Sequence, residues 1–216
     1  MTTPVVIAID GPGASGKGTL ARRLAAHLGY VYLDTGAMYR AVALQLLRTG
    51  ADPADPAAAL AAAQNLDTGL LDDPQLRTDR VGAAASQVAA HGDVRLALMV
   101  FQRGFATNPP GNAPGAVLDG RDIGTIICPE ARVKLFVTAS PEARARRRYL
   151  ELQARGEAVT EAEVLAGLQT RDDRDRTRAA APLRPAPDAH LLDTTNLAID
   201  DAFAVALAAI SGKIAP

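Results

Sequence analysis

A doubly wound α/β domain on a five-stranded, mainly parallel sheet is the fold this sequence predicts. Three observations carry the prediction. Short β-type runs alternate with amphipathic helical patterns along the whole chain, the order a parallel sheet with covering helices requires. The first run, Val5-Val6-Ile7-Ala8-Ile9, passes through a glycine-rich turn straight into a helical pattern. Four predicted strand ends carry paired polar residues, Asp10-Gly11, Asp34-Thr35, Asp119-Gly120 and Asp193-Thr194, and ligands of such sheets bind beyond the carboxyl ends of the strands. The 216 residues suit one domain with a small insertion. At 48% hydrophobic and mean hydropathy +0.04, the chain has enough apolar surface for a sizeable core. No apolar stretch approaches the ~20 residues of a membrane span. No charged segment followed by a long apolar one opens the chain, so no secretory signal is expected.

In chain order, helix 1 runs from Leu20 to Leu28 and stops at Gly29. Tyr30–Leu33 reads as strand 2, and Asp34-Thr35-Gly36 turns into a helix from Ala37 to Arg48, closed by Gly50. Asp52-Pro53 and Asp55-Pro56 open an alanine-rich helix to about Asn65. Leu66 to Pro74 is turn-like, and two helices follow, Thr78–Ala90 and Asp93–Ala106, parted by His91-Gly92. The loop Asn108–Gly115 leads to strand Ala116–Asp119, a loop over Gly120–Glu130, and strand Val133–Val137. Ser140-Pro141 caps an arginine-rich helix to Arg155, with Pro at its first position. Thr160-x-x-Glu163 is a capping box for a helix to about Arg178. A Pro-rich connection, Pro182–Asp188, precedes the last strand, His190–Asp193, and the last helix, Ile199–Ile210.

The turn after strand 1 reads Asp10-Gly11-Pro12-Gly13-Ala14-Ser15-Gly16-Lys17-Gly18-Thr19. The spacing Gly11-x4-Gly16-Lys17 fits a phosphate-binding loop, whose glycines let backbone N–H groups approach an anion at a helix N-terminus. Lys17 is placed to reach the β- and γ-phosphates of a nucleotide. Gly18 stands where the strict pattern has a Ser or Thr to hold Mg²⁺, so no direct hydroxyl–metal contact is expected, and Thr19 is a candidate phosphate contact. An ordinary Gly-rich turn lacks this agreement of spacing, lysine and flanks.

Arginines dominate the basic charge, although the net charge is only −1, which argues against a nucleic-acid surface and for local anion sites. Arg171, Arg174, Asp175 and Arg178 fall on one helical face of Arg171-Asp-Asp-Arg-Asp-Arg-Thr-Arg178, a mixture suited to phosphate plus ribose. Arg121 and Asp122 follow a strand as either a solvated ion pair or a phosphate-neutralising cation and an acceptor for a base amino group. Thr35 offers a hydroxyl at a helix start, and Arg40, farther along, can hold a second phosphate; taken alone it reads as a surface arginine. Arg144, Arg147 and Arg148 share a face that is either a solvated basic surface or an anion contact. Ser86, Arg95 and Arg103 lie on the paired middle helices and singly read as capping or surface groups. His27, His91 and His190 have no metal-ligand spacing, no metal-ligating residue is assigned, and Cys128 has no disulfide partner, which suits a reducing cytoplasm.

Together GPGASGKGT, LDTGAMYR, ASQVAA, FQR, DGRDIGT, RDDRDRTR and LLDTT resemble the bacterial cytidylate kinase family over nearly the whole chain. The glycine-rich loop is common to nucleoside monophosphate kinases; the RDDRDR and DGRD segments are more specific to this branch. The resemblance implies the three-layer P-loop kinase fold in a single domain. Its core covers about 1–50, 107–140 and 179–216, with a helical monophosphate-binding arm over about 51–106 and a lid over about 141–178. It implies ATP and Mg²⁺ as cofactors and phosphorylation of CMP and dCMP. Catalytic roles fall to Lys17, Arg121, Arg178 and the lid arginine Arg147. Substrate contacts fall to Thr35, Arg40, Ser86, Arg103, Arg121, Asp122, Arg171, Asp175 and Arg178. A cytoplasmic monomer with small-molecule partners, no nucleic acid and no membrane is expected. Between Leu66 and Ala84 the chain is shorter than the long bacterial pattern, so the small antiparallel strands of the arm are expected to be missing. The competing functions are a kinase of another small acceptor, such as shikimate, and a nucleotide-binding switch; the lack of an Asn-Lys-x-Asp guanine signature weighs against the latter.

Overall fold

The computed structural model describes residues 3–214. Five strands, β1 (Val5–Asp10), β2 (Val31–Asp34), β3 (Gly115–Gly120), β4 (Val133–Thr138) and β5 (His190–Asp193), form one sheet in the order β2-β3-β1-β4-β5. All four pairings are parallel. Alternating side chains sort to two faces. Ile7 and Ile9 pack with Val117 and Leu135 against α1 (Lys17–Leu28) and α8 (Ile199–Ile214). Ala8, Ala116 and Leu118 join α2 (Thr35–Thr49) on the other face. The central strands are therefore buried on both sides, as their apolar runs require.

The middle region packs on the α2 side. It contains α3 (Pro56–Gln64), two 3₁₀ turns (Thr68–Asp72 and Pro74–Arg77), α4 (Asp79–Val88) and α5 (Gly92–Thr107). No strand lies in it among the described residues, and the two 3₁₀ turns occupy the shortened stretch. Both turns are held by the Asx geometry of Asp67 and Asp73, whose carboxylates accept from the backbone two residues on. The two-helix unit α6 (Pro141–Ala154) and α7 (Glu161–Thr177) has its own small core of Ala145, Leu152, Val164 and Leu168. The capping box at Thr160 is present, with Glu163 accepting from the Thr160 backbone and its own amide donating to Thr160 Oγ1. Boundaries differ from the sequence reading mostly by one to three residues. The exception is the predicted loop over Gly120–Glu130, which contains a wide π-type turn, Ile123–Ile127. No helix among the described residues is long and apolar enough to cross a membrane.

Candidate active site

The carboxyl ends of β1, β2, β3 and β5 converge at a cleft of about 1500 Å³ between the middle region and the α6–α7 unit. Its floor is the loop from Gly11 to Thr19. Gly11 has φ +152°, and a Cβ there would meet the Val137 carbonyl oxygen at 2.0 Å, so only glycine lets β1 turn this close beside β4. Gly16, at φ +86°, supplies the left-handed residue that starts α1. Lys17 is the first residue of α1, is buried, and its Nζ donates to the Pro12 carbonyl at 3.3 Å. Burial, then the nearby Arg121 charge, pushes its pKa down to about 7.

Opposite Lys17 stand two carboxylates. Asp119, at the end of β3, accepts from Tyr32 Oη at 2.8 Å. Asp34 caps α2 by accepting from Ala37 N–H at 3.0 Å. Burial and then the like charge of Asp34 push Asp119 up to about 6. A Cβ on Gly18 would lie 3.4 Å from Asp119 Oδ2, so the glycine keeps a gap beside this carboxylate. Thr35 does not line the cleft: its hydroxyl donates to the Asp119 carbonyl at 2.7 Å, because β2 and β3 are neighbours in register at this level.

The walls are cationic. Arg40, from α2, donates to the Leu76 carbonyl at 2.7 Å, and burial brings its pKa down to about 10. Gly82 of α4 lies against it; a Cβ there would sit 3.1 Å from Arg40 Nη1. Arg121 donates through Nε to Asp175 Oδ2 at 2.9 Å. Arg171, on the α7 face of the cleft, has a solvent-shielded Nε with no partner, and burial, then the Arg121 and Arg40 charges, lowers its pKa to about 9. Although burial pushes Asp175 up, Arg121, Arg171 and Arg178 hold its carboxyl below the usual range.

Several residues singled out in the sequence stand apart from this wall. Arg103 is turned from the cleft: its Nε and Nη2 donate to the Ile127 and Ile126 carbonyls at 3.0 and 2.9 Å, tying α5 to the π-type turn. Asp122 is 5% exposed, does not line the cleft, and forms a charge contact with Arg95 at 2.5 Å. Arg95 also lies 5.5 Å from the centre of the Tyr39 ring. Arg95 is thus the α5 arginine that meets the DGRD loop, a role one-dimensional spacing did not separate from that of Arg103. Arg178, at the end of α7, is buried behind the wall, where Nε donates to the Ala181 carbonyl at 2.7 Å and Nη1 to Asp175 at 3.4 Å. Ser86 lines the cleft and accepts from Arg174 Nη1 at 2.9 Å.

The three arginines of α6 have separate tasks. Arg144, 2% exposed, links Asp172 of α7 (2.6 Å) to the Gly13 carbonyl (3.2 Å), so the α6–α7 unit grips the phosphate-binding loop. Arg147 lines the cleft and donates to Thr194 Oγ1 at 3.0 Å. Arg148 reaches the middle region, pairing with Asp79 at 2.6 Å and donating to the Arg77 carbonyl at 3.1 Å.

A parallel sheet whose first strand enters a glycine-rich lysine loop, with a cationic wall facing that loop, defines a P-loop phosphotransferase acting on an anionic acceptor. Residues 7–211 match the family model for cytidylate kinase, and the chain belongs to that family, ATP-dependent phosphotransferases that phosphorylate CMP and dCMP. A cytidylate kinase of Rhodopseudomonas palustris (strain HaA2) is 59% identical over 206 residues, covering 95% of each chain. One from Paramagnetospirillum magneticum is 59% identical over 208 residues, covering 96% of this chain and 98% of the relative. Among solved structures, an uncharacterized protein from Eubacterium ventriosum superposes with a TM-score of 0.56 at 14% identity, covering 96% of this chain and 98% of that one, a likeness of fold.

Proposed function

We propose that the cleft passes the γ-phosphoryl group of ATP to the phosphate of CMP or dCMP by in-line transfer, with the loop side for ATP and the arginine wall for the acceptor. The observation that carries this reading is four cationic side chains, Lys17, Arg40, Arg121 and Arg171, lining one cleft at the phosphate-binding loop. Burial first, then neighbouring charges that include Arg121, lowers the pKa of Lys17, Arg40 and Arg171, and bound phosphates would supply the missing counter-charge. The loop amides from Gly11 to Thr19 and Lys17 hold the ATP phosphates. Arg40, Arg121 and Arg171 hold the acceptor phosphate, Asp175 turns to the ribose, and Arg178 supports Asp175 from behind. The acceptor brings its own anionic oxygen, so positioning and charge neutralisation suffice without a strong base. Arg147 reaches the transferred phosphate by leaving Thr194.

The pair Asp34 and Asp119 fits a hydrated Mg²⁺. Burial, then the like charge of Asp34, raises the Asp119 carboxyl, as in a site short of positive charge, and Gly18 leaves room beside it. When bound, the ion would supply positive charge against the negative charge that develops on the ATP phosphates. Residues 51–106 act as the acceptor-binding arm and 141–178 as the lid. The protein is expected to work as a monomer in the cytoplasm on small molecules alone.

A coupled ADP-release assay over a panel of monophosphates tests the reading. CMP and dCMP are expected as the best acceptors; activity confined to AMP, GMP or shikimate overturns it. Cytosine choice falls to Ser86 and to Asp122, which engages the base once its pair with Arg95 shifts toward the cleft. Asp122→Asn is expected to lower the CMP/UMP ratio of kcat/KM by about tenfold, within the ~1–3 kcal/mol of one good base contact. Arg103→Ala leaves that ratio unchanged. An unaltered ratio in a folded Asp122→Asn protein restricts Asp122 to its ion pair.

A further inference from the structure

Asp10 is the last residue of β1, is 4% exposed, and does not line the cleft. Its carboxylate reaches across the sheet to the DGRD loop. Oδ1 accepts from Ile123 N–H and Oδ2 from Gly124 N–H, both at 2.8 Å. These amides open the π-type turn directly after Arg121 and Asp122. The residue in the cap position of that turn, Asp122, makes no side-chain cap bond, so the turn takes its cap from a strand 113 residues away in sequence. Two adjacent amides need two acceptor oxygens, which an ionised carboxylate provides and a protonated one or an amide does not.

We propose that Asp10 is a positioning residue for phosphoryl transfer: its carboxylate fixes the Gly120–Gly124 loop against the start of the phosphate-binding loop, and so sets where Arg121 stands relative to Lys17. Gly11 follows Asp10 directly and is packed so closely on the Val137 carbonyl that a Cβ there would meet it at 2.0 Å, so one end of this strut is held by tight packing. On its far side Arg121 is held by Asp175 and by its own bond to the Gly120 carbonyl at 3.1 Å. The loop is thereby clamped from two directions, with the Arg121 guanidinium between them. The charged and titratable groups around Asp10 are Asp122 and Arg121 from the loop, Cys128 at the end of the turn, and Lys134 on β4. The stem of Lys134 lies against Gly124, but its ammonium is turned to Asp188 at 2.9 Å. Burial pushes the Asp10 carboxyl up to about 6 against the pull of the two amides. The inference rests on the acceptor role of Arg121 proposed above.

The test is Asp10→Asn, with kcat and KM measured for CMP and for ATP from pH 5 to 8. The expected result at pH 8 is a KM for CMP raised about tenfold, the scale of one charge-assisted hydrogen bond, with KM for ATP within about twofold. The variant-to-wild-type ratio of KM for CMP should shrink as pH falls through 6, because the wild type then loses the same acceptor; ionisation of CMP itself cancels in the ratio. Equal rises for CMP and ATP, no rise for either, or a ratio independent of pH overturn the proposal. Should the variant not fold, backbone resonances of the wild type decide. The backbone resonance of Arg121 is expected to move together with those of Ile123 and Gly124 as Asp10 titrates near 6, and an Arg121 resonance that stays put while the two amides shift overturns the coupling. Failure of the wild type to phosphorylate CMP would instead overturn the acceptor reading, and the resonance measurement is independent of it.

Discussion

Lys17→Ala is expected to lower kcat for CMP phosphorylation by at least about 10²–10³-fold, the loss seen when one preorganised group is taken from developing charge, in a protein that stays folded. The hydrogen-bond partner of Lys17 is neutral, the Pro12 carbonyl at 3.3 Å, so its removal breaks no direct ion pair, although Asp119 loses one of the charges that hold its pKa down. Its pKa of about 7 lies below the ordinary lysine value of 10.5, so the folded protein holds the neutral amine more readily than the unfolded chain does. The burial penalty is therefore full below about pH 7 and fades as pH rises to 10.5; any stability the variant gains over the wild type should follow that window. Bound ATP is expected to reverse the shift. At pH 8 the free amine is mostly neutral, the phosphates recharge it, and binding should take up nearly one proton. Calorimetry in buffers of different ionisation enthalpy measures that uptake, and Lys17→Ala should remove it. Near-normal kcat in the folded variant, or unchanged uptake, removes Lys17 from the transfer.

The parts of this molecule written in local signals were legible in the sequence. Each strand is a short apolar run, and each major helix stop or start has a chemical cause nearby, such as Gly29, Gly50, Ser140 or Thr160. The π-type turn after Asp122 was not legible, because its cap is Asp10, remote in sequence and near only through strand pairing. The arginines show the same limit. Helical periodicity placed Arg144, Arg147 and Arg148 on one face, but not what that face meets. In the fold it meets the phosphate-binding loop, the end of β5 and the middle region in turn. On α5 the choice between Arg95 and Arg103 depended on how the helix rolls against the DGRD loop, which no pattern within α5 encodes. On α7 the shared face was real but divided. Arg171 and Arg174 front the cleft, while Asp172 and Asp175 continue the buried stripe of Val164 and Leu168 and meet Arg144 and Arg121.

Arg171→Met is expected to cut kcat/KM for CMP by about 100-fold or more, as loss of a charged contact to phosphate should, while leaving the melting temperature unchanged or raised. The two effects share one cause. Arg171 is half-buried on the cleft face of α7, its Nε is shielded from solvent without a hydrogen-bond partner, and the charges that act on it include Arg121, Arg40 and Arg148, with Asp175 as the opposing carboxylate. Asp175 is already engaged by Arg121 at 2.9 Å. A guanidinium so placed destabilises the empty protein, and its favourable partner arrives only with the acceptor phosphate. Methionine keeps the unbranched stem and its packing and removes the charge. The change should also reach Lys17, because Arg171 is one of the charges that depress its pKa. Proton uptake on ATP binding at pH 8 should therefore be smaller in Arg171→Met than in the wild type, although the two side chains are proposed to serve different substrates. Differential scanning calorimetry and steady-state kinetics on the same preparation make the comparison. A variant that loses stability and keeps CMP turnover would make Arg171 a structural arginine of the lid, and would leave Arg40 and Arg121 to hold the acceptor.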